Sequence, residues 1–148
     1  MERNIMSRGF KYHEHTADII VECWAPTLEE AFAEAGLATY EVILDTSTVE
    51  PRETIELEAE GIDLQELLVE WVGRLIALID IEGMFYSRFE VIDIKQIEDE
   101  YHLNGRAYGE SINHDKHDTR TEVKAMTYAG MKIDETPEQT RIWFTLDL

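Results

Sequence analysis

Residues 54–79 read TIELEAEGIDLQELLVEWVGRLIALI, and two periodicities meet inside them. Ile55, Leu57 and Ala59 alternate with Glu56, Glu58 and Glu60, the pattern of a strand with one wet face. Gly61 ends the alternation. Asp63 stands three residues before Glu66, the spacing of a capping box that opens a helix. Leu64, Leu67, Leu68, Trp71, Val72, Leu75 and Ile79 then recur at helical spacing as a broad apolar stripe. A half-wet strand followed by an amphipathic helix leaves two apolar faces, which the rest of the chain must cover.

The same signals repeat on either side. Residues 10–13 form a plausible short strand, and residues 19–24 a firmer one. There Ile19, Val21 and Cys23 fall on one face, and Ile20, Glu22 and Trp24 on the other. Thr27 with Glu30 makes another capping box, and Leu28, Ala31, Phe32 and Ala35 carry a helix to about residue 44, with Gly36 as a tolerated weak point. Towards the C-terminus, residues 89–97 and 101–108 read as a hairpin about Glu98-Asp99-Glu100. A charged loop is expected over 109–120, then a last strand pair over 122–132 and 139–148. Two helices must cover one sheet face or pack between sheets. The reading is an α+β fold: a single domain over residues 10–148, with a mixed or antiparallel β-sheet core and two amphipathic helices. Residues 1–9 are expected to be a flexible tail. They hold Arg3 and Arg8 with no apolar stretch behind them, unlike a signal peptide.

Composition narrows the function. The chain has 148 residues, 44% of them hydrophobic, which suits one core. No apolar run approaches the roughly 18 residues that would span a membrane. The single cysteine, Cys23, allows no intrachain disulfide and suits a reducing cytoplasm. Thirty-two acidic residues against 13 basic ones give a net charge of −19. Such a surface repels phosphate backbones, so direct nucleic-acid binding is not expected. It permits docking to a basic protein and binding of hard cations, or it serves only solubility.

Several clusters could carry chemistry. His13-Glu14-His15-Thr16-Ala17-Asp18 places five hydrogen-bonding side chains at the mouth of a strand. It is either a ligand site or a turn whose polar groups satisfy its own backbone. His13 and His15, two apart, would share a strand face, a thin basis for zinc. At the other end, Asp147 adjoins Leu148 and its α-carboxylate. If the sheet holds that end beside Asp18, three carboxylates meet, and calcium would relieve their repulsion; otherwise Asp147 and the terminus face water. The spacing His114-x-x-His117 lacks the glutamate of a zincin helix and sits among turn residues, so it reads as a solvated loop. In Glu122–Tyr128, Lys124 either snorkels beside Tyr128 or neutralises nearby carboxylates. No G-x-S-x-G, P-loop or G-x-G-x-x-G is present, and Cys23 falls mid-strand where thiols are inert. Enzymatic chemistry is therefore not expected, a metal-dependent hydrolase included.

Ordered landmarks carry a resemblance. They are Glu14-His15-Thr16-Ala17-Asp18-Ile19, Thr27-Leu28-Glu29-Glu30-Ala31-Phe32, Val49-Glu50-Pro51, Asp63-Leu64-Gln65-Glu66-Leu67-Leu68, Glu122-Val123-Lys124-Ala125-Met126-Thr127-Tyr128 and the ending Leu146-Asp147-Leu148. Together the sequence resembles the archease family. Two departures stand out: Glu14 where many members have aspartate, and Ala129 where many carry histidine. The second argues against a functional histidine at that position here.

The resemblance implies an α+β fold whose core is like a redox chaperone domain. It implies a cytoplasmic protein that is not an enzyme but assists an RtcB-type RNA ligase in tRNA splicing. That ligase uses manganese and GTP and passes through a guanylylated histidine, and archeases promote its guanylylation and turnover. An alternative role in the family is chaperoning of a tRNA cytosine methyltransferase. The implied calcium ligands are Asp18, Asp147 and the carboxylate of Leu148. Glu14, His15 and Lys124 are candidates for contact with a partner or for supporting those ligands.

Overall fold

The computed structural model describes residues 7–14 and 16–148. Its order is β1 (Gly9–Glu14), β2 (Asp18–Ala25), α1 (Leu28–Ile43), β3 (Glu53–Gly61), α2 (Leu64–Glu82), β4 (Met84–Ile97), β5 (Glu100–Ser111), β6 (Ala125–Glu135) and β7 (Thr140–Asp147), with a short 3-10 turn at Thr46–Thr48. The α+β expectation holds, and of its two arrangements the chain takes the second. One antiparallel sheet runs β1-β2-β7-β6 and the other β3-β5-β4. Each helix touches both: α1 packs on β2 and β4, α2 on β3 and β6. The helices are therefore the filling between two sheets.

Both expected caps form. Thr27 Oγ1 accepts from the Glu30 amide at 3.1 Å, and Asp63 Oδ1 accepts from the Glu66 amide at 2.8 Å. Glu66 reaches back one residue further than a standard box, accepting from the Ile62 N–H at 2.8 Å. Substituting such caps typically costs about 1 kcal/mol.

The core lies where the helices meet the inner sheet faces. Val21, Cys23 and Ala25 of β2 and Ile142, Phe144 and Leu146 of β7 are fully buried there, as are Phe32, Tyr40 and Trp71. Trp71 donates its indole N–H to the Phe32 carbonyl at 2.9 Å, and Tyr40 donates its hydroxyl to the Leu75 carbonyl, so the buried polar tips are satisfied. Gly105 of β5 makes the Trp71 position possible. A Cβ there would lie 2.8 Å from the indole ring and 2.9 Å from the Glu90 carbonyl oxygen.

Several sequence boundaries moved. Gly83, in the left-handed conformation, turns α2 directly into β4, which begins five residues before the expected start at Phe89. β5 continues to Ser111, shortening the expected loop. β6 starts at Ala125 rather than Glu122. Of the expected tail, Arg8 is ion-paired with Glu34 at 2.8 Å and Glu30 at 3.3 Å, and Gly9 opens β1; residues 1–6 lie outside the described residues.

Candidate functional site

The register of β2 against β7 sets the site. Cys23 pairs with Ile142 and Val21 with Phe144, apolar against apolar, facing the helices. Alternation then puts residues 18, 20, 22 and 24 on the outer face, and the register continues to its last pair, Asp18 opposite Asp147. The burial of the strand core thus forces two carboxylates across from each other, where like charges destabilise a sheet.

The chain around them is tied down. The Leu148 amide donates to the Ala17 carbonyl at 3.3 Å, and the Lys124 amide donates to the Asp147 carbonyl at 2.8 Å. Ala125 pairs with Asp147 on its other side. Leu148 is half-buried against the core, whereas the Asp147 and Lys124 side chains are exposed.

Asp18 Oδ1 is buried and has no hydrogen-bond partner, alone in this among the side-chain nitrogens and oxygens of the described residues. A stranded buried carboxylate oxygen is costly, and native structures seldom leave one without a reason. A hard cation is one reason. Carboxylate oxygens from separated segments are what calcium takes, so Asp18 and Asp147 suit that group by their chemistry.

A hollow of about 200 Å³ opens beside Asp18, lined also by Ile20, Thr145, Ala129 and Gly130. Its far wall is an irregularity of β6. Register jumps from Thr127 opposite Thr145 to Lys132 opposite Trp143, so residues 128–131 face only Phe144. Gly130 takes φ 65°, a conformation that glycine adopts without strain. Thr145 Oγ1 donates to the Ala129 carbonyl at 2.8 Å and pins the bulge. Bulges commonly re-aim side chains beside sites. Here the bulge leaves Tyr128 exposed.

The other sequence candidates disperse. Glu14 ends β1 opposite Ile19 and is exposed. His13 lies on the outer face, its Nε2 3.1 Å from Glu22 Oε1. His15 lies outside the described residues. Cys23 is buried, and that burial raises its thiol pKa well above the ordinary value.

The His114-x-x-His117 loop differs from its expectation. His114 is exposed, but the His117 side chain is fully buried. Its Nδ1 accepts from the Asn113 amide at 3.0 Å, leaving Nε2 to donate to Glu110 Oε2 at 2.9 Å. Lys116 Nζ lies 2.8 Å from the same oxygen, and the Glu50 amide donates to it at 2.9 Å. These bonds, His117 first and Lys116 next, hold the Glu110 carboxyl down to about 2. The histidine is a latch for the loop, and both its nitrogens are committed.

A cluster that sequence reasoning missed is Glu60, Glu100 and His102, whose ligand atoms lie within 4.8 Å of one another. Glu60 and His102 are cross-strand partners on β3 and β5, a pairing that no local spacing announces. The two glutamates are exposed, and each lies against the half-buried His102.

Comparison with known proteins matches this fold and its landmarks to one family. The model of the Archease protein family matches residues 10–148. The archease of Aeropyrum pernix is 42% identical over 140 residues, covering 95% of this chain and 97% of its own. That of Pyrococcus furiosus is 42% identical over 131 residues, covering 88% and 92%. The solution structure of Methanobacterium thermoautotrophicum protein 1598 superposes with a TM-score of 0.81 at 36% identity, covering 95% of this chain and 99% of that one. The Thermotoga maritima crystal structure, described as an archease and possible chaperone, shares the fold with a TM-score of 0.55 at 23% identity, covering 93% and 96%. With a family match across nearly all of its length and relatives above 40% identity, the chain belongs to the archease family.

Proposed function

We propose that the protein is a non-enzymatic activator of an RtcB-type RNA ligase in tRNA splicing and RNA repair, promoting the ligase's guanylylation and turnover in the cytoplasm. In this reading it binds calcium through Asp18, Asp147 and the α-carboxylate of Leu148, and it does not hold RNA itself. The observation that carries the reading is the buried, unpartnered Asp18 Oδ1 on a strand whose register sets Asp18 against Asp147. The ion would join the ends of β2 and β7 and supply fixed positive charge where carboxylates otherwise repel. Supporting it, the −19 charge suits a basic protein partner better than a phosphate backbone, and the described thiol is buried.

The test is multiple-turnover ligation by the RtcB-type ligase from the same organism, with GTP and manganese, with and without this protein. Stimulation at substoichiometric ratios is expected. No change in rate or turnover number would overturn the reading. A second reading, a chaperone of a tRNA cytosine methyltransferase, draws on the wording "possible chaperone" for the Thermotoga relative. It predicts protection of that enzyme from aggregation in place of ligase stimulation.

A further inference from the structure

Strand β6 lies at one edge of its sheet and pairs only with β7. Between that strand and α2 runs a hollow of about 330 Å³, whose lining includes Val69, Gly73, Arg74 and Ala77 of the helix and Lys124, Ala125 and Met126. Ala125 and Met126 open β6, and successive strand residues point to opposite faces. A hollow that touches both, with Lys124 just before them, therefore abuts the open backbone edge of the strand, not one of its faces. Alternate N–H and C=O groups of an edge strand face away from its one neighbour and template a further strand.

The opposite wall has an unusual feature. Gly73 sits in the middle of the 19-residue helix α2. Glycine there weakens a helix relative to alanine, and packing does not demand it. A Cβ built at Gly73 meets nothing within 4 Å, in contrast to Gly36, Gly61, Gly105 and Gly109, where a neighbour stands in the way. The missing side chain keeps the hollow open where another backbone would pass.

Beyond the hollow towards the helix N-terminus, α2 carries its cap Asp63 with Glu66 and Glu70, and Tyr128 follows two residues after Met126 on β6. Tyr128 is 56% exposed. Its phenol pKa is raised by partial burial and then by the carboxylates of Glu66, Asp63 and Glu70. Asp63 and Glu66 carry no cation partner among the described residues, and the Arg74 guanidinium beside Glu70 is at 3.5 Å. An exposed aromatic face on an acidic stretch of surface is suited to a lysine or arginine.

The geometry points to a strand-addition site: an extended, basic segment of a partner protein pairs with the β6 edge, passes over Gly73 and sets a cation beside Tyr128. The β6 edge would give main-chain hydrogen bonds and the hollow would take an alternate apolar side chain. This rests on the reading that the protein acts through a protein partner. It extends that reading, because β6 also pairs with Asp147 and its bulge lines the Asp18 hollow.

The probe is a synthetic peptide of alternating lysine and leucine, titrated into isotope-labelled full-length protein. Shift changes should map to Val69, Gly73, Ala125, Met126 and Tyr128. Gly73→Leu fills the hollow without altering charge, so non-specific attraction to an acidic protein would persist in it. Site binding should weaken by about tenfold or more. Gly73→Ala should raise the melting temperature, which checks that the glycine is not needed for the fold. Peptide binding that is absent, or unchanged by Gly73→Leu in a folded protein, overturns the site. So does a wild-type dimer that Gly73→Leu dissolves, which would give the edge to a second copy. The ligase binding the wild type and Gly73→Leu equally well would leave the proposed function standing and remove this surface. A peptide result as expected alongside a ligase that ignores the wild type would do the reverse.

Discussion

Asp18→Asn should make the metal-free protein more stable and the calcium-loaded protein relatively less so. Asp18 and Asp147 are directly opposed in an antiparallel pair, which sets their Cβ atoms about 5 Å apart. Two unit charges at about 5 Å repel by about 1 kcal/mol in water and by about 3 kcal/mol at an effective permittivity of about 20. Asp147 is exposed, which favours the low end of that range. The stranded Oδ1 adds a desolvation cost on the scale of about 1–3 kcal/mol. The asparagine removes the charge and can donate to Asp147. A net gain of about 1–2 kcal/mol is expected without metal, or about 2–6 °C in melting temperature for a chain of this length. Calcium at about 100 times its dissociation constant adds about 2.7 kcal/mol to a protein that binds it and nothing to one that does not. The order of stability should therefore reverse between EDTA and saturating calcium. Thermal unfolding of both proteins in the two buffers decides it. Asparagine that destabilises the protein in EDTA, or that gains as much from calcium as wild type does, would refute the reasoning.

Other consequences follow from the same geometry. Extending the chain beyond Leu148 converts its α-carboxylate to an amide and should weaken calcium binding measured by calorimetry, whereas an extension before Met1 should leave it unchanged. The Glu110 carboxyl is held down to about 2, below its ordinary 4.5. Its contribution to stability is therefore complete above about pH 4.5 and lost as pH falls towards 2. Glu110→Gln should flatten that part of the stability–pH curve, and wild-type and variant curves that fall in parallel would show that the latch is not the cause. The −19 charge predicts no submicromolar binding of bare tRNA at physiological salt in a filter assay.

Local signals made much of the fold legible. Both helices announce themselves through caps at Thr27 and Asp63 and through apolar stripes, and β3 through its alternating glutamates. Boundaries set by a single backbone conformation were less visible. Gly83 turns the chain at once from α2 into β4, where a longer loop was expected. The β6 bulge depends on a register jump against β7 that no spacing within β6 encodes.

The candidate site divides in the same way. Asp18 and Asp147 stand out as acids at strand ends, but their opposition follows from pairing across nearly the whole chain. His117 looked like part of a solvated loop because its partner, Glu110, belongs to a strand that runs past the expected end at Tyr108. The groove beside Gly73 needs two elements to exist at all, and within the helix sequence its glycine signals nothing beyond a weak point.

We propose that this protein activates an RNA ligase through the carboxylate site. The most direct measurement is transfer of labelled GMP from GTP to the RtcB-type ligase of the same organism, with manganese and calcium present. Wild-type protein, Asp18→Asn and Asp147→Asn are compared at equal concentration. Wild type should accelerate guanylylation, and both variants, folded by circular dichroism, should lose most of that acceleration. Guanylylation that proceeds equally with wild type, with either variant and with no added protein would contradict the account.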